Sequence, residues 1–482
     1  MSSKRIIGPI GRVEGDLEVT LTVEGGQVAR AEVNAPLYRG FERILQGRPA
    51  EDALVVAPRI CGICSVSQSV AAARALASLA GITPPPNGQL AINLVHAAEN
   101  LADHLTHFYV FFMPDFCDAF YSNADWHDET VRRYAAHRGE HIRHALKIRA
   151  RLLHIMGQLA GKWPHSLAIR PGGITTPVTT SVQHALRYIL RDVREFMETR
   201  LFGARLEAIV EATDWVSLNA AMAQHLHPLP DAAWFLRLAE ACELEALGRG
   251  PDAWLSYGAY PGADGNLFAG GTWQSGYHPL SLAAITEDTA FSKMQGDTPL
   301  PPERGKTHPE LNKPDAYSWC KAPRYRNQVM ETGALARQVV HGTQLAHELV
   351  RRAGGNVLSR VVMRLWEMAR LALAMESWVN TLEPNAPGLL NTALPSQGSG
   401  IGLTEAARGS LGHWLSVSNE QICLYQIVAP TTWNFSPRDH LGQAGALEQA
   451  LEGLVLPDKD HNRIRLQHII RSFDPCMACT VH

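Results

Sequence analysis

The sequence predicts an α+β fold that is predominantly helical and forms one large unit. Three observations support this prediction: apolar residues alternate near the amino end, long middle segments have helical spacing, and no Ser/Gly-rich or charged linker divides the 482 residues. Hydrophobic residues make up 46% of the chain, enough to bury a large core. We expect a central bundle of long helices, an N-terminal β-hairpin region and an irregular, loop-rich lobe.

The elements can be placed in order along the chain. Residues 17–33 alternate apolar and polar side chains around Gly25-Gly26, which predicts a β-hairpin. Helical spacing predicts long helices over residues 66–112, 128–160, 181–212 and 329–380. Gly, Pro, Trp and Tyr accumulate between about 250 and 330, which predicts loops with short strands. The single unit 1–482 is therefore expected to contain a β-rich N-terminal region (1–60), a helical region (61–250), the irregular lobe (251–330), and a helical and C-terminal metal-binding region (331–482).

The composition argues against several classes of function. The net charge of −3 gives no electrostatic reason to expect nucleic acid as a partner. The sequence has no run of 18 uncharged apolar residues, and its start lacks the apolar core of an export signal, so we expect no membrane span. Eight cysteines are too few for a disulfide framework in a chain of this length, which favours a reducing compartment.

Two cysteine pairs with the same spacing lie at opposite ends of the chain: Cys61 with Cys64, and Cys476 with Cys479. Two cysteines three positions apart can direct both thiolates at one point, and four such sulfurs make a soft site suited to zinc, nickel or iron. The pairs of a local zinc site lie about 15 to 20 residues apart, whereas most of the chain separates these pairs. We therefore expect one long-range metal site that assembles only when the whole chain folds.

Five other polar residues are candidates for site chemistry, although each also has an ordinary structural explanation. Glu14 can be a solvated acid before the hairpin or a buried proton relay with a raised pKa. Glu42 can be a helix cap, and Asp103 can pair with a histidine one turn away. Arg408 and Thr431 lie in Gly- and Pro-containing segments, where the backbone either approaches a ligand closely or simply turns.

Six segments together resemble the large subunit of nickel-iron hydrogenases, and the resemblance covers nearly the whole chain. These segments are Arg12-Val13-Glu14-Gly15, Arg59-Ile60-Cys61-Gly62-Ile63-Cys64, His107-Phe108-Tyr109, Ala407-Arg408-Gly409, Pro430-Thr431-Thr432-Trp433-Asn434 and Asp474-Pro475-Cys476-Met477-Ala478-Cys479-Thr480-Val481-His482. Either cysteine pair alone is a moderate signal, whereas both pairs with the terminal histidine are very specific. The resemblance implies a hydrogenase, an oxidoreductase that cleaves dihydrogen heterolytically.

The resemblance implies a Ni-Fe(CN)2(CO) centre on the four cysteines. Cys61 and Cys476 match the terminal nickel ligands. Cys64 and Cys479 match the bridges from nickel to an iron that also holds two cyanides and one carbonyl. The long-range site expected from the spacing is thus implied to be bimetallic.

Further residues match catalytic and cofactor-binding positions of the family. Glu14 matches the proton-transfer glutamate. Arg408 matches the guanidinium held over the metals, with Asp103 and Asp474 beside it. The base that takes the proton is then either the Cys476 thiolate, which passes it to Glu14, or the guanidine of Arg408. The residues that match groups around the cyanides are Thr431, Pro430 and Ala407.

A second metal site and a partner subunit also follow from the resemblance. Glu42, the carbonyl of Ile427 and His482 match the family's magnesium site. Two electrons must leave the nickel-iron centre, and this chain has no further cysteine pattern for an iron-sulfur cluster. An iron-sulfur small subunit is therefore implied as an obligate partner, in a heterodimer or a dimer of heterodimers.

Several residues depart from the common family pattern and resemble its regulatory, hydrogen-sensing subclass. Gln68 stands where His is usual, Ile63 where Val is usual, Phe111 where Leu is usual, and Ala407 where Pro is typical. Ile63 and Phe111 add bulk beside the expected gas channel, which hinders oxygen more than dihydrogen, unless both simply repack. The subclass implies low turnover, oxygen tolerance, a cytoplasmic location and signalling to a histidine kinase.

Two other hypotheses remain open. A respiratory uptake hydrogenase shares the metal centre and is distinguished by Gln68, by Ile63 with Phe111, and by whether the encoding gene continues past His482. The other is a non-redox module, in which the four cysteines bind structural zinc or the fold serves only as a quinone-oxidoreductase-like scaffold; metal analysis distinguishes it. Because an export signal can lie on the small subunit, a location outside the cytoplasm is also an alternative.

Overall fold

The computed structural model describes residues 3–222, 228–456 and 463–482. Helix accounts for 47% of the protein and strand for 19%, which confirms the predominantly helical α+β fold. Among the described residues, no helix is both long enough and apolar enough to cross a membrane.

The helices are α1 (Phe41–Leu45), α2 (Ala53–Val56), α3 (Ser65–Ala80), α4 (Pro86–Thr106), α5 (His127–Tyr134), α6 (Glu140–Ala160), α7 (Thr180–Phe196), α8 (Leu206–Val210), α9 (Trp215–Met222), α10 (Asp231–Ala241), α11 (Ala334–His341), α12 (Gln344–Ala353), α13 (Val357–Thr381), α14 (Pro430–Asn434), α15 (Ala446–Leu451), α16 (Arg463–Ser472) and α17 (Met477–Thr480). The strands are β1 (Ser3–Ile7), β2 (Glu18–Glu24), β3 (Gln27–Asn34), β4 (Ile169–Arg170), β5 (Gly173–Ile174), β6 (Trp254–Gly262), β7 (Gly265–Trp273), β8 (Tyr277–His278), β9 (Ile285–Asp288), β10 (Ala322–Tyr325), β11 (Gly398–Ala406), β12 (Gly409–Ser418) and β13 (Gln421–Val428).

The centre of the fold is a bundle in which α4 packs against α6 and α13, and α7 packs against α6 and α13. The predicted apolar stripe of α13 is buried in this bundle: Leu358, Val361, Val362, Leu365 and Met368. The side chain of Asn356 accepts a hydrogen bond from the backbone N–H of Ser359, which caps the start of α13. The bundle therefore forms where the helical spacing predicted it.

The N-terminal hairpin lies where the alternation predicted it. Strands β2 and β3 pair antiparallel, and Glu24 lies opposite Gln27 across the turn. Gly25 and Gly26 have φ values of 57° and 82°, the left-handed conformation that this two-residue turn favours in glycine. Strand β1 adds to β2 and completes a three-stranded sheet that the alternation did not predict.

The segment 251–330 contains longer strands than the sequence suggested. Strands β6 and β7 are nine residues each and pair antiparallel, with β8 beside β7. Strands β9 and β10 form a separate two-stranded sheet. The rest of the segment is turns, loops and the short 3-10 helices Leu282–Ala284 and Pro302–Arg304, in line with its Gly and Pro content.

A three-stranded sheet in the C-terminal region was not predicted. Strands β11, β12 and β13 pair antiparallel in that order. Most of β12 is buried, so its side chains do not alternate between apolar and polar and the usual strand pattern is absent.

Helix α3 lies directly against β11, and glycine makes this approach possible. A Cβ atom on Gly402 would lie 1.9 Å from the carbonyl oxygen of Ala71, and one on Gly400 would lie 2.1 Å from that of Ala75. Larger residues would push α3 away from the sheet. The contact fixes the position of the start of α3, where Cys64 stands as the N-cap.

Candidate metal centre

The four sulfurs of the two cysteine pairs meet at one point. Sγ of Cys61 lies 3.5 Å from Sγ of Cys476, and Sγ of Cys64 lies 3.0 Å from Sγ of Cys479. All four sulfurs lie within 4.8 Å of one another, and all four cysteines are buried and free of disulfides. Among the described residues, this is the group of Cys, His, Asp and Glu side chains with the geometry of a metal site.

The donor set fits soft metals such as nickel and iron. Thiolate sulfur is the ligand that nickel, iron clusters and zinc share. Hydrogen bonding from Cys476 and Cys479 lowers the pKa of Cys61 well below its usual value, whereas the same neighbours raise the pKa of Cys64. Several thiolates buried together need a cation to balance their charge, so the four sulfurs suit a bound metal.

The first cysteine pair is held by contacts at the start of α3. The carboxylate of Glu99 accepts hydrogen bonds from the backbone N–H groups of Val66 and Ser67, both at 2.8 Å. These are unsatisfied groups of the first helical turn, so a buried carboxylate caps the helix immediately after Cys64. Burial raises the pKa of Glu99 to about 7. No sequence motif marks Glu99, because its partners are backbone N–H groups.

The second cysteine pair is held by backbone pairing with the N-terminal segment. Glu14 and Cys476 form a parallel β-bridge, in which the N–H of Met477 donates to the carbonyl of Glu14 at 2.7 Å. The N–H of Cys476 donates to Oγ1 of Thr431 at 3.2 Å. Thus residues from both ends of the chain and from α14 position this loop.

Arg39 bridges the segments that carry the two cysteine pairs, a role that was not predicted from the sequence. Its guanidinium donates to the carbonyl of Ile60 at 2.6 Å and to the carbonyl of Ala478. These carbonyls directly precede Cys61 and Cys479 in the sequence. An arginine that binds two carbonyls leaves no pattern in the sequence, so only the folded chain reveals it.

Arg408 lies beside the sulfurs in a buried cage of carboxylates. It contacts both oxygens of Asp103, and its Nε donates to the carbonyl of Asp474 at 2.9 Å. Burial raises the pKa of Asp103 to about 7 despite the opposing effect of Arg408. Although burial also disfavours charge on Asp474, Arg408 and His107 hold the pKa of Asp474 below its usual value. The structure thus brings these three predicted residues together.

Glu14 lies half-buried between solvent and the cysteines. Burial raises its pKa above the usual value, and the charge of Cys61 acts in the same direction. Gly15 has a φ of 81°, and a Cβ there would approach Cβ of Met477 to 3.1 Å. Glycine therefore lets the backbone around Glu14 lie flat against the second cysteine pair.

The remaining predicted cofactor-binding residues are buried next to Arg408 and Thr431. The carbonyl of Ala407 accepts a hydrogen bond from Arg337 at 3.0 Å. Pro430 is the first residue of α14, and its carbonyl lies 3.4 Å from Oγ1 of Thr332. Both residues therefore have contacts within the protein and hold the segments that carry Arg408 and Thr431.

Glu42, Ile427 and His482 form a second cluster. Nε2 of His482 lies 2.8 Å from the carbonyl oxygen of Ile427 and 3.4 Å from Oε1 of Glu42. Nζ of Lys321 lies 3.9 Å from Oε2 of Glu42. Although burial disfavours charge on Glu42, Lys321 and His482 hold its pKa at about 2. Residues that sequence reasoning missed here are Lys321, Thr307, Gln426 and Glu287.

Besides Ala407, three residues depart from the common pattern, and they lie in different surroundings. Gln68 is buried, and its Nε2 lies 3.9 Å from Sγ of Cys479. Ile63 is partly buried and packs against the main hydrophobic core. Phe111 is partly buried in a π-helical turn that continues α4, and its carbonyl accepts a hydrogen bond from Arg12 at 3.0 Å.

Comparison with known proteins identifies relatives over the full length of the chain. The large subunit of the periplasmic [NiFeSe] hydrogenase of Desulfomicrobium baculatum is 28% identical, covering 99% of this chain and 94% of that protein. The hydrogenase-2 large chain of Escherichia coli K12 is 26% identical over 100% of this chain and 97% of its own length. The uptake hydrogenase large subunit of Bradyrhizobium diazoefficiens is also 26% identical, covering 100% and 95%.

Solved structures and a family model agree with these relatives. A structure of the Dm. baculatum [NiFeSe]-hydrogenase superposes with a TM-score of 0.85 at 27% identity, and a Ni-Fe-Se hydrogenase structure from D. vulgaris Hildenborough with 0.84 at 29%. Both comparisons cover 100% of each chain. The family model described as nickel-dependent hydrogenase matches residues 39–137 and 134–482. With its four converging sulfurs, this chain belongs to the nickel-dependent hydrogenase family.

Proposed function

We propose that this chain is a large catalytic subunit that cleaves dihydrogen into protons and electrons at a nickel-iron centre held by its four cysteines. The observation that carries this proposal is the convergence of sulfurs from both ends of the chain within 4.8 Å. Cys61 and Cys476 are proposed as terminal nickel ligands, with Cys64 and Cys479 as bridges to iron. When bound, this centre supplies Lewis acidity toward dihydrogen and a store for its two electrons.

The side chains around the centre are proposed to move and hold the proton. The Cys476 sulfur is one candidate base, and Glu14 is the proposed route toward solvent, because its carboxyl group is half-buried and close enough to the cysteines that burial and the charge of Cys61 both raise its pKa. The guanidine of Arg408 is the other candidate base. Its three guanidinium nitrogens donate hydrogen bonds to the carboxylate of Asp103 and the backbone carbonyl of Asp474, which fixes its orientation.

The segments of Thr431, Pro430 and Ala407 are proposed to line the iron side of the centre. Thr431 contacts the backbone of Cys476 through its hydroxyl oxygen. A hydroxyl that accepts one hydrogen bond retains a proton to donate. This chemistry suits a cyanide, which is an acceptor.

The second cluster is proposed to hold magnesium or a similar divalent ion. Glu42 offers a carboxylate, Ile427 a carbonyl oxygen and His482 an imidazole nitrogen. Two of these three donors are oxygens, as hard cations prefer. A cation there would tie the C-terminal histidine to β13 and hold the segment that carries Cys479 in place.

An iron-sulfur small subunit is proposed as the obligate partner, in a heterodimer or a dimer of heterodimers. Several relatives are named as large subunits or large chains. In the described part of this chain, the four centre cysteines are the group with metal-site geometry. Electrons from dihydrogen therefore need clusters on another chain.

We further propose a regulatory role in which the complex senses dihydrogen, turns over slowly and signals to a histidine kinase in the cytoplasm. Support comes from Gln68 beside Cys479 and from the added bulk of Ile63 and Phe111. The alternative is a respiratory uptake hydrogenase, which is supported by the similarity to a Bradyrhizobium diazoefficiens protein named as an uptake hydrogenase large subunit.

Infrared spectra of the complex with its small subunit, recorded under hydrogen and then under air, test both proposals. A nickel-iron centre gives carbonyl and cyanide bands, and a sensor keeps its hydrogen-reduced bands after a brief exposure to air. An absence of these bands refutes the centre. New bands from an oxidised, inactive state under air favour the uptake hydrogenase.

A further inference from the structure

Three buried polar side chains form a line that ends at the sulfur of Cys479. The hydroxyl of Tyr425 lies 2.8 Å from Nδ1 of His413, and Nε2 of His413 lies 2.8 Å from Oε1 of Gln68. Nε2 of Gln68 faces Sγ of Cys479 at 3.9 Å. Tyr425 and His413 are 0% exposed and Gln68 is 1% exposed. Bulk water therefore does not compete for these hydrogen bonds.

The pairing of β12 with β13 places His413 and Tyr425 next to each other. His413 on β12 lies opposite Ile427 on β13, and Tyr425 precedes Ile427 by two positions. Tyr425 and His413 are therefore diagonal neighbours on one face of an antiparallel pair. Helix α3 carries Gln68 and lies against β11 of the same sheet. The arrangement is thus built into the packing of α3 on the sheet.

The chemistry of the three groups determines which atom donates in each hydrogen bond. Burial lowers the pKa of His413 to about 3, so the imidazole is neutral, with one donor nitrogen and one acceptor nitrogen. A buried phenol needs an acceptor for its O–H, and Nδ1 of His413 is placed to accept it. The proton of the imidazole is then on Nε2, which donates to Oε1 of Gln68.

The amide of Gln68 has two orientations with nearly the same shape. In one, an N–H faces the sulfur; in the other, the carbonyl oxygen does. The Nε2–H of His413 donates to the amide oxygen and so selects the first orientation. In the second orientation, this N–H would face the amide N–H group of Gln68, and two donors would oppose each other. An N–H can donate to a thiolate, whereas a carbonyl oxygen would repel it.

We propose that Tyr425 and His413 are positioning residues that hold the Gln68 amide with its N–H directed at Cys479. They act through Gln68, which is the residue that faces the sulfur of Cys479. The hydrogen bond draws electron density from the sulfur and so reduces its donation to a bound metal. This inference rests on the metal centre proposed above.

The test is the position of the carbonyl infrared band in variants of the assembled complex. Gln68→Leu removes the donor, so the band moves to lower wavenumber because the metals return more density to the carbonyl. His413→Leu and Tyr425→Phe either shift the carbonyl band toward the Gln68→Leu position or give two bands, one of which lies near that position. His413→Gln restores the wild-type position, because its amide can accept from Tyr425 and donate to Gln68.

Tyr134→Phe is the matched control, because Tyr134 is a buried tyrosine that donates to Asp231 and contacts none of the three residues. It leaves the band unmoved. The inference is overturned if Gln68→Leu leaves the band unchanged, or if it shifts the band while both Tyr425→Phe and His413→Leu leave it at the wild-type position. A wild-type complex without any carbonyl band instead refutes the proposed metal centre itself.

Discussion

Arg408 and Asp103 form a buried ion pair beside the four sulfurs, although they are 305 positions apart in the chain. NH2 of Arg408 lies 3.0 Å from Oδ1 of Asp103 and 3.2 Å from Oδ1 of Asp474. Both partners of Arg408 are buried. The guanidinium therefore has one orientation, which two carboxylates and one backbone carbonyl fix.

Replacement of Arg408 by lysine keeps a positive charge but loses the planar fork that binds both carboxylates. We expect Arg408→Lys to lower hydrogen oxidation by about 100-fold, because one preorganised donor group is typically worth this much. Nickel content should stay at the wild-type level, since Arg408 is not a ligand. A variant that keeps full activity would show that the guanidinium has no role in the reaction.

Glu14 is the proposed route for the proton. Glu14→Gln keeps the shape of the side chain but cannot carry a proton, so we expect hydrogen oxidation to fall by about 100-fold. The infrared bands of the centre should be nearly unchanged, because the backbone bridge between Glu14 and Cys476 does not use the side chain. The exposed neighbour Asp16 supplies the control, as Asp16→Asn should retain activity. Equal rates of hydrogen oxidation in Glu14→Gln and Asp16→Asn would show that Glu14 does not carry the proton.

From the sequence, we expect Ile63 and Phe111 to narrow a gas channel to the metal centre. We expect the double variant Ile63→Val with Phe111→Leu to lose hydrogen oxidation under air, because smaller side chains admit oxygen. The assay compares rates before and after exposure to air. Ile189→Val on α7 controls for the loss of a methylene in the helix bundle. The two single variants show which side chain limits access, because Ile63 packs against the main hydrophobic core and Phe111 is not part of it. Unchanged activity under air in the double variant would contradict the expected channel.

Much of this site follows from sequence because its ligands occur in local motifs. The two cysteine pairs, Arg408 and Glu14 all lie in short segments with distinctive neighbours. Arg39 and Glu99 bind backbone groups, which every sequence supplies, so no residue pattern marks their partners. Strand β12 was not predicted because both its faces are buried, so apolar and polar residues do not alternate along it. Sequence therefore predicts ligands better than it predicts the groups that hold them.

The helix bundle contains a buried ion pair that makes stability depend on pH. Nε of Arg337 lies 2.9 Å from Oε2 of Glu367. Although burial disfavours the charge, Arg337 holds the pKa of Glu367 well below its ordinary value of 4.5. Ionised Glu367 thus stabilises the fold above pH 4.5, and this contribution is lost as the pH falls below that value.

Glu367→Gln should lower the free energy of unfolding by about 3 kcal/mol at neutral pH, because it leaves a buried arginine short of a charged partner. Urea unfolding followed by tryptophan fluorescence measures the difference from wild type. That difference should shrink as the pH falls below 4.5, where wild-type Glu367 begins to lose its advantage. Glu195→Gln, at an exposed position on α7, is the control. A difference that is constant with pH would contradict the linkage.

Nickel content per chain is the most direct test of the metal centre. Elemental analysis of the complex with its small subunit should find nickel equimolar with this chain, and the Cys61→Ser variant should lose it while remaining folded. Iron is less decisive, because clusters on the partner also contain it. Zinc in place of nickel in the wild-type protein would show that the converging sulfurs hold a structural metal and would contradict the account.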